Sequence, residues 1–230
     1  VWGGGGPDDW PAAAERAADA IAEIAPEWLI LVEGVGAYRD DPYWWGGNLQ
    51  GVRDRPVRID QADKLVYSPH DYPPSVFDQP WFDDGSDLYD VFRKNWGFIQ
   101  EDGIAPVLVG EWGSKLQDPA DMPWARAMTN YLAGDYDGDG RADGAPIGWM
   151  WWSWNPNSGD TDGILLDDWT TVRAPAIALL EPFLEDTRPP TSVVAAARAA
   201  PTADFVVSLA APAAEPVVLR YSTEDGTALA

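Results

Sequence analysis

The sequence predicts a parallel α/β fold. Its four βα units make the C-terminal half (strands five to eight) of a (β/α)8 TIM barrel, and the first strands of an all-β sandwich follow. Three observations predict this. Short apolar runs alternate with helical-period stretches up to about residue 184. Each run ends in a polar or aromatic residue, Glu33, His70, Glu111 and Trp152 in turn, at the strand end where a (β/α)8 barrel gathers its chemistry. Beyond residue 203 the period changes to two. A whole barrel takes about 250 residues, so the other half is expected upstream of Val1.

Asp9-Trp10-Pro11 opens a helix in which Ala14, Ala17, Ala18, Ile21 and Ile24 recur at helical spacing, and Pro26 ends it. Residues 28–34 form a short continuous apolar run that reads as a buried parallel strand. A loop rich in Trp and Gly follows to about Asp63. Residues 65–70 are the second strand, residues 87–102 a helix, and residues 105–111 the third strand. Residues 119–132 are helical, residues 147–152 form the fourth strand, and residues 171–184 the last helix. The expected organisation is thus a partial barrel domain over 1–185, a Pro- and Ala-rich linker over 186–203, and two antiparallel strands with their turns over 204–230.

With 15 Lys and Arg against 38 Asp and Glu, the formal charge is −23, which argues against nucleic acid or an anionic membrane as partner. No apolar window of about 18 residues suggests a membrane span. Hydrophobic residues make up 46% and charged residues 23%, enough apolar material to bury a core. There is no cysteine, which excludes disulfides, thiol catalysis and zinc–thiolate or iron–sulfur sites. Fourteen tryptophans are more than a core needs. The chain begins at Val1 without a signal peptide and stops at Ala230 within a strand-like pattern, so it is read as partial at both ends.

Glu111 ends an apolar strand between Gly110 and Gly113, where the backbone can turn sharply. A carboxylate there can act as nucleophile or general base, or be a solvated strand-end Glu. His70, the only histidine, shares that layer, and Tyr72 can hold a carboxylate by a hydrogen bond. Trp44, Trp45, Trp152 and Trp154 offer indole faces that suit pyranose rings; the alternative is core packing, which is the expected role of Trp149 and Trp151. Alternation places Trp152 opposite those two. Asp135, Asp137, Asp139 and Asp143, with Gly140 at the sixth position, match the first part of a calcium loop, but Pro146 stands where an EF-hand has its bidentate Glu. A structural Ca2+ is expected there, since four close carboxylates repel one another. The loop from Asn155 to Gly163 is either a sugar-contacting segment or a turn.

Five motifs, in order, carry a resemblance. They are Val32-Glu33-Gly34-Val35, Tyr43-Trp44-Trp45-Gly46-Gly47-Asn48-Leu49-Gln50-Gly51, Val66-Tyr67-Ser68-Pro69-His70-Asp71-Tyr72, Gly110-Glu111-Trp112-Gly113, and Trp152-Ser153-Trp154-Asn155-Pro156-Asn157-Ser158-Gly159-Asp160-Thr161. From Trp2 to Leu184 the chain resembles glycoside hydrolase family 5, and within it the bacterial endo-β-1,4-glucanases. The resemblance implies a retaining (β/α)8 hydrolase of cellulose or related β-glucans, needing no catalytic cofactor, secreted, and monomeric when full length. It implies Glu111 as nucleophile, His70 and Tyr72 as residues that contact sugar and orient it, Trp152 as a subsite floor, and Trp44 and Trp45 as cleft lining. The family's acid/base Glu lies in an Asn-Glu-Pro motif that this sequence lacks, so this chain by itself is expected to be inactive; Glu33 does not occupy the acid position. Other β-glycans, such as mannan or xyloglucan, and a non-catalytic polysaccharide-binding or calcium-dependent adhesion role, are the alternatives. Residues 204–230, with Phe205-Val206-Val207-Ser208-Leu209 and Pro216-Val217-Val218-Leu219-Arg220-Tyr221-Ser222, resemble the opening of a Calx-beta domain.

Overall fold

The computed structural model describes residues 1–184; the expected linker and Calx-beta strands lie outside the described residues. Helix α1 (Trp10–Ala22) starts at Asp9, whose carboxylate accepts the Ala12 N–H at 3.3 Å, with Pro11 in its first turn. Its buried stripe is shorter than the sequence suggests. Ala14 and Ala18 are inside, but Ala17, Ile21 and Ile24 are exposed; the helix stops at Ala22, so Ile24 lies beyond it. Glu15 fixes α1 to the following loop through a two-point pair with Arg55, at 2.6 and 2.7 Å.

Strand β1 (Ile30–Val32) is followed by a small hairpin, β2 (Ala37–Tyr38) and β3 (Asp41–Pro42). The next run divides at Ser68-Pro69 into β4 (Leu65–Tyr67) and β5 (His70–Asp71). β4 pairs in parallel with β1, Ile30 opposite Leu65 and Val32 opposite Tyr67. The division has a cause: Pro69 has no N–H to offer a ladder. Its carbonyl still accepts the Gly110 N–H at 3.0 Å, so the path continues onto the next strand. β1 is not the buried strand its composition suggests. Trp28, Leu29 and Leu31 are exposed, and only Val32 is inside, because among the described residues β1 pairs on one side only.

After a short helix α2 (Pro80–Asp83), the helix expected over 87–102 forms as α3 (Leu88–Phe92) and α4 (Phe98–Glu101), joined by a π turn over Arg93–Gly97. The wider turn directs Asn95 and Trp96 inward. Strand β6 (Leu108–Trp112) runs parallel to β5, helix α5 (Asp121–Leu132) follows, and β7 (Gly148–Trp151) runs parallel to β6. Helix α6 (Ala174–Leu180) completes the described chain with one 3-10 turn. Apart from the β2–β3 hairpin, the strands are parallel and follow chain order within two groups, β1-β4 and β5-β6-β7, which the Tyr67–Val107 bridge joins.

Trp44, Trp96, Trp112 and Trp124 are fully buried, packed with Tyr67, Tyr131, Phe92 and Phe98. Part of the tryptophan surplus is therefore core. On β7, Trp149 and Trp151 meet Trp112 edge-on at 5.5 and 4.9 Å, while Trp152 turns outward.

Candidate active site

Parallel register brings the site together: His70 at the start of β5 lies directly opposite Glu111 near the end of β6. His70 Nδ1 stands 3.4 Å from Glu111 Oε2, and His70 Nε2 stands 3.6 Å from Glu33 Oε1 at the end of β1. The imidazole is buried, and Nδ1 has no hydrogen-bond partner, so the carboxylate is the group it faces. The Tyr72 hydroxyl donates to the same Glu111 oxygen at 2.6 Å. Burial, and then that hydrogen bond to a carboxylate, hold the Tyr72 phenol well above the usual tyrosine range. Tyr72 therefore stays a donor at any ordinary pH.

Glycines allow the close approach. Gly46 has φ +74°, and a Cβ there would lie 2.8 Å from His70 Nδ1, so the Trp45-Gly46 loop rests on the imidazole. Gly113 does not provide the expected sharp turn. Its place is explained by contact, since a Cβ there would meet the Trp152 carbonyl at 2.2 Å. This contact, with the Trp152 N–H donating to the Trp112 carbonyl at 2.8 Å, sets the Trp152 backbone against Trp112 and Gly113, the two residues that follow Glu111.

Trp45, Trp152 and Trp154 are 59%, 45% and 65% exposed, and so offer the indole faces expected of them. Trp44 does not. It has no exposed surface and packs edge-on against Trp45, Tyr72 and Trp81, so its part is to support the ring of Tyr72 from behind. The loop after Trp154 closes on itself: the Ser158 and Thr161 hydroxyls lie 2.8 Å apart, and the Asp162 N–H donates to the Ser158 carbonyl at 3.1 Å.

Asp135, Asp137 and Asp143 each bring a carboxylate oxygen within 4.8 Å of the others. Asp139 departs from the expected set, because its carboxylate turns back to accept the Arg141 N–H at 2.9 Å. Backbone donors also serve the cluster, Gly138 and Gly140 bonding to Asp135 and Tyr136 to Asp143.

Sequence reasoning missed Asp71. It is completely buried behind His70 and Tyr72, where it accepts hydrogen bonds from the Tyr43 hydroxyl, Trp124 Nε1 (2.8 Å) and Trp96 Nε1 (3.3 Å). Burial outweighs these three donors and pushes its carboxyl up to about 7. The signal was present in strand alternation, which sends the residue between His70 and Tyr72 to the opposite face. Glu33, set aside on its sequence position, reaches the imidazole from the far side of the Glu111 contact.

Parallel strands in chain order, helices between them and a tyrosine-held carboxylate at the strand ends define a barrel-type α/β protein with its chemistry on the C-terminal edge. The chain belongs to the cellulase family, glycosyl hydrolase family 5, whose model matches residues 1–158. It is 43% identical over 208 residues to an endoglucanase of Paenibacillus polymyxa, covering 86% of this chain and 49% of that protein. To the major extracellular endoglucanase of Xanthomonas campestris pv. campestris it is 40% identical over 193 residues, 78% of this chain and 37% of that one. Among solved structures it is similar to the endocellulase from Pyrococcus horikoshii in complex with cellotetraose (TM-score 0.70, 36% identity, 80% of this chain and 51% of that one). The chain spans about half the length of the first curated relative and of this solved structure.

Proposed function

We propose that this chain supplies the nucleophile side of a retaining endo-β-1,4-glucanase active site, on the C-terminal half of a (β/α)8 barrel. The observation that carries the reading is the Tyr72–Glu111 hydrogen bond at the C-terminal strand ends, flanked by the exposed indoles of Trp45, Trp152 and Trp154. The endoglucanase relatives and the cellotetraose complex of a similar endocellulase support a β-1,4-glucan as substrate.

In this reading Glu111 attacks the anomeric carbon as the glycosidic oxygen leaves, forming a glycosyl-enzyme that water then hydrolyses. Tyr72 and His70 face one oxygen of Glu111, which leaves the other free to attack. The departing oxygen needs a proton from a second carboxyl about 5–5.5 Å from the first, and that acid lies outside this chain. Polymeric glucan cannot enter a cell, so the protein acts outside it, in keeping with the extracellular Xanthomonas relative. Asp135, Asp137 and Asp143 would hold a structural Ca2+, and residues 204–230 would add a Calx-beta module.

The test is hydrolysis of soluble β-1,4-gluco-oligosaccharides. The 230-residue chain alone is expected to give none. In a protein carrying both carboxyls, Glu111→Gln is expected to abolish turnover while glucan binding survives. Turnover retained by that variant would refute Glu111 as nucleophile.

A further inference from the structure

Two buried charged side chains tie together the segments that leave β5, β6 and β7. Ser75 lies just beyond Tyr72, and Ser114 just beyond Glu111. Asp121, at the start of α5, is fully buried. Its Oδ1 accepts the Ser75 N–H at 3.2 Å, and its Oδ2 accepts both the Ser75 hydroxyl at 2.7 Å and the Ser114 hydroxyl at 2.5 Å. The carbonyl of the same Ser114 accepts Arg173 Nη2 at 3.0 Å. The Arg173 guanidinium, also buried, donates further to the carbonyls of Lys115 (2.5 Å), Thr161 (3.3 Å) and Gly163 (2.7 Å).

Burying a carboxylate and a guanidinium is costly, and apolar groups in their place often leave a protein as stable or more so. Stability alone is therefore a weak reason for this arrangement. Geometry is a better one. Two serine hydroxyls converge on one carboxylate oxygen, so the distance between the segments after β5 and β6 is set by two short hydrogen bonds. Tyr72 and Glu111 stand at the roots of those segments, and their own bond of 2.6 Å survives only small displacements. Arg173 extends the tie to the segment that follows Trp152 and Trp154.

We propose that Asp121 and Arg173, linked through Ser114, are positioning residues that hold three strand-end segments in register and keep the Tyr72 hydroxyl on the Glu111 carboxylate. The proposal rests on the reading of Glu111 as the reacting group, but its test needs no turnover. His70 is the only histidine, and its ring lies 3.4 Å from Glu111, so a single imidazole NMR signal reports on that carboxylate's surroundings. In the 230-residue chain, Tyr72→Phe sets the size and direction of the shift that follows loss of the hydroxyl. Asp121→Ala and Arg173→Met are expected to move the signal the same way. Asp121→Asn, which keeps an acceptor oxygen, should move it less. A folded Asp121→Ala chain whose His70 signal coincides with that of the parent overturns the proposal. If Asp121→Ala does not fold, Ser75→Ala decides, since it removes one arm and leaves the carboxylate paired with Ser114; an unmoved signal there is equally fatal. Absent shifts leave the glucanase reading standing, and inactivity of Glu111 leaves the shifts standing.

Discussion

The Tyr72 hydroxyl and His70 Nδ1 converge on the same Glu111 oxygen, at 2.6 and 3.4 Å. Only the tyrosine makes a hydrogen bond; the imidazole nitrogen is unpartnered. Tyr72 is therefore the group that orients the carboxylate. A hydrogen bond to a charged group is worth about 1.5–3 kcal/mol. In an active protein Tyr72→Phe should thus lower kcat by about 10- to 100-fold, with a smaller change in KM. Steady-state kinetics on cello-oligosaccharides measure this, and an unchanged kcat would show that Glu111 is held by other contacts.

The two neighbouring indoles Trp44 and Trp45 should behave oppositely. Trp44 has no exposed surface and Trp45 is 59% exposed. Trp44→Ala should cost about 3–5 kcal/mol of stability, whereas Trp45→Ala and Trp154→Ala should stay within about 0.5 kcal/mol. The latter two should weaken cello-oligosaccharide binding by roughly 0.5–1.5 kcal/mol each. Chemical denaturation and calorimetric titration separate the two effects. A stable Trp44→Ala chain that loses glycan binding would return Trp44 to the cleft.

What was legible in the sequence follows from what each pattern encodes. Apolar runs located the parallel strands, and the Asp9-Trp10-Pro11 signal located the start of α1, because caps and strand periods are local. Trp44 was misplaced because adjacent aromatic residues in a loop carry no periodicity that says which one faces inward. Asp121 and Arg173 gave no signal: although Ser114 stands only 7 residues before Asp121, the tie runs to Ser75, 46 residues from Asp121, and from Ser114 to Arg173, 59 residues on, a relation that only the folded chain creates. The exposure of Leu31 was likewise hidden, since an apolar strand reads the same whether or not both its edges are paired.

That exposure has a consequence. Leu31 on β1 and Met150 on β7 are 43% and 51% exposed, on strands that each pair on one side among the described residues. Unpaired strand edges recruit other chains. The 230-residue chain should self-associate, and Leu31→Lys with Met150→Lys should shift it towards monomer in sedimentation velocity. A monomeric, cooperatively melting parent chain would contradict this.

Calcium should raise the thermal midpoint if the Asp135, Asp137 and Asp143 cluster holds the ion, because a ligand that binds only the folded state stabilises it. Asp135→Asn should abolish the rise. A midpoint that chelation leaves unchanged removes the site.

Asp71 makes stability depend on pH in the direction opposite to an ion-paired carboxylate. Its pKa rises from 3.8 to about 7 on folding, chiefly through burial. Between about pH 4 and pH 7 the folded chain therefore holds a proton that the unfolded chain has lost. Stability from this group is fully present below the unfolded value and lost as pH rises through the folded one, by up to about 4 kcal/mol. Other carboxylates work the other way: Arg55 lowers the pKa of Glu15. The parent profile alone is thus a mixture, but its difference from Asp71→Asn isolates Asp71, since the remaining groups are shared. Urea midpoints of the two chains, measured at pH 5 and pH 8, should show the parent losing ground to the variant at the higher pH. Parallel profiles would mean that the Tyr43, Trp96 and Trp124 donors hold Asp71 ionised throughout, and that the buried site tolerates the charge.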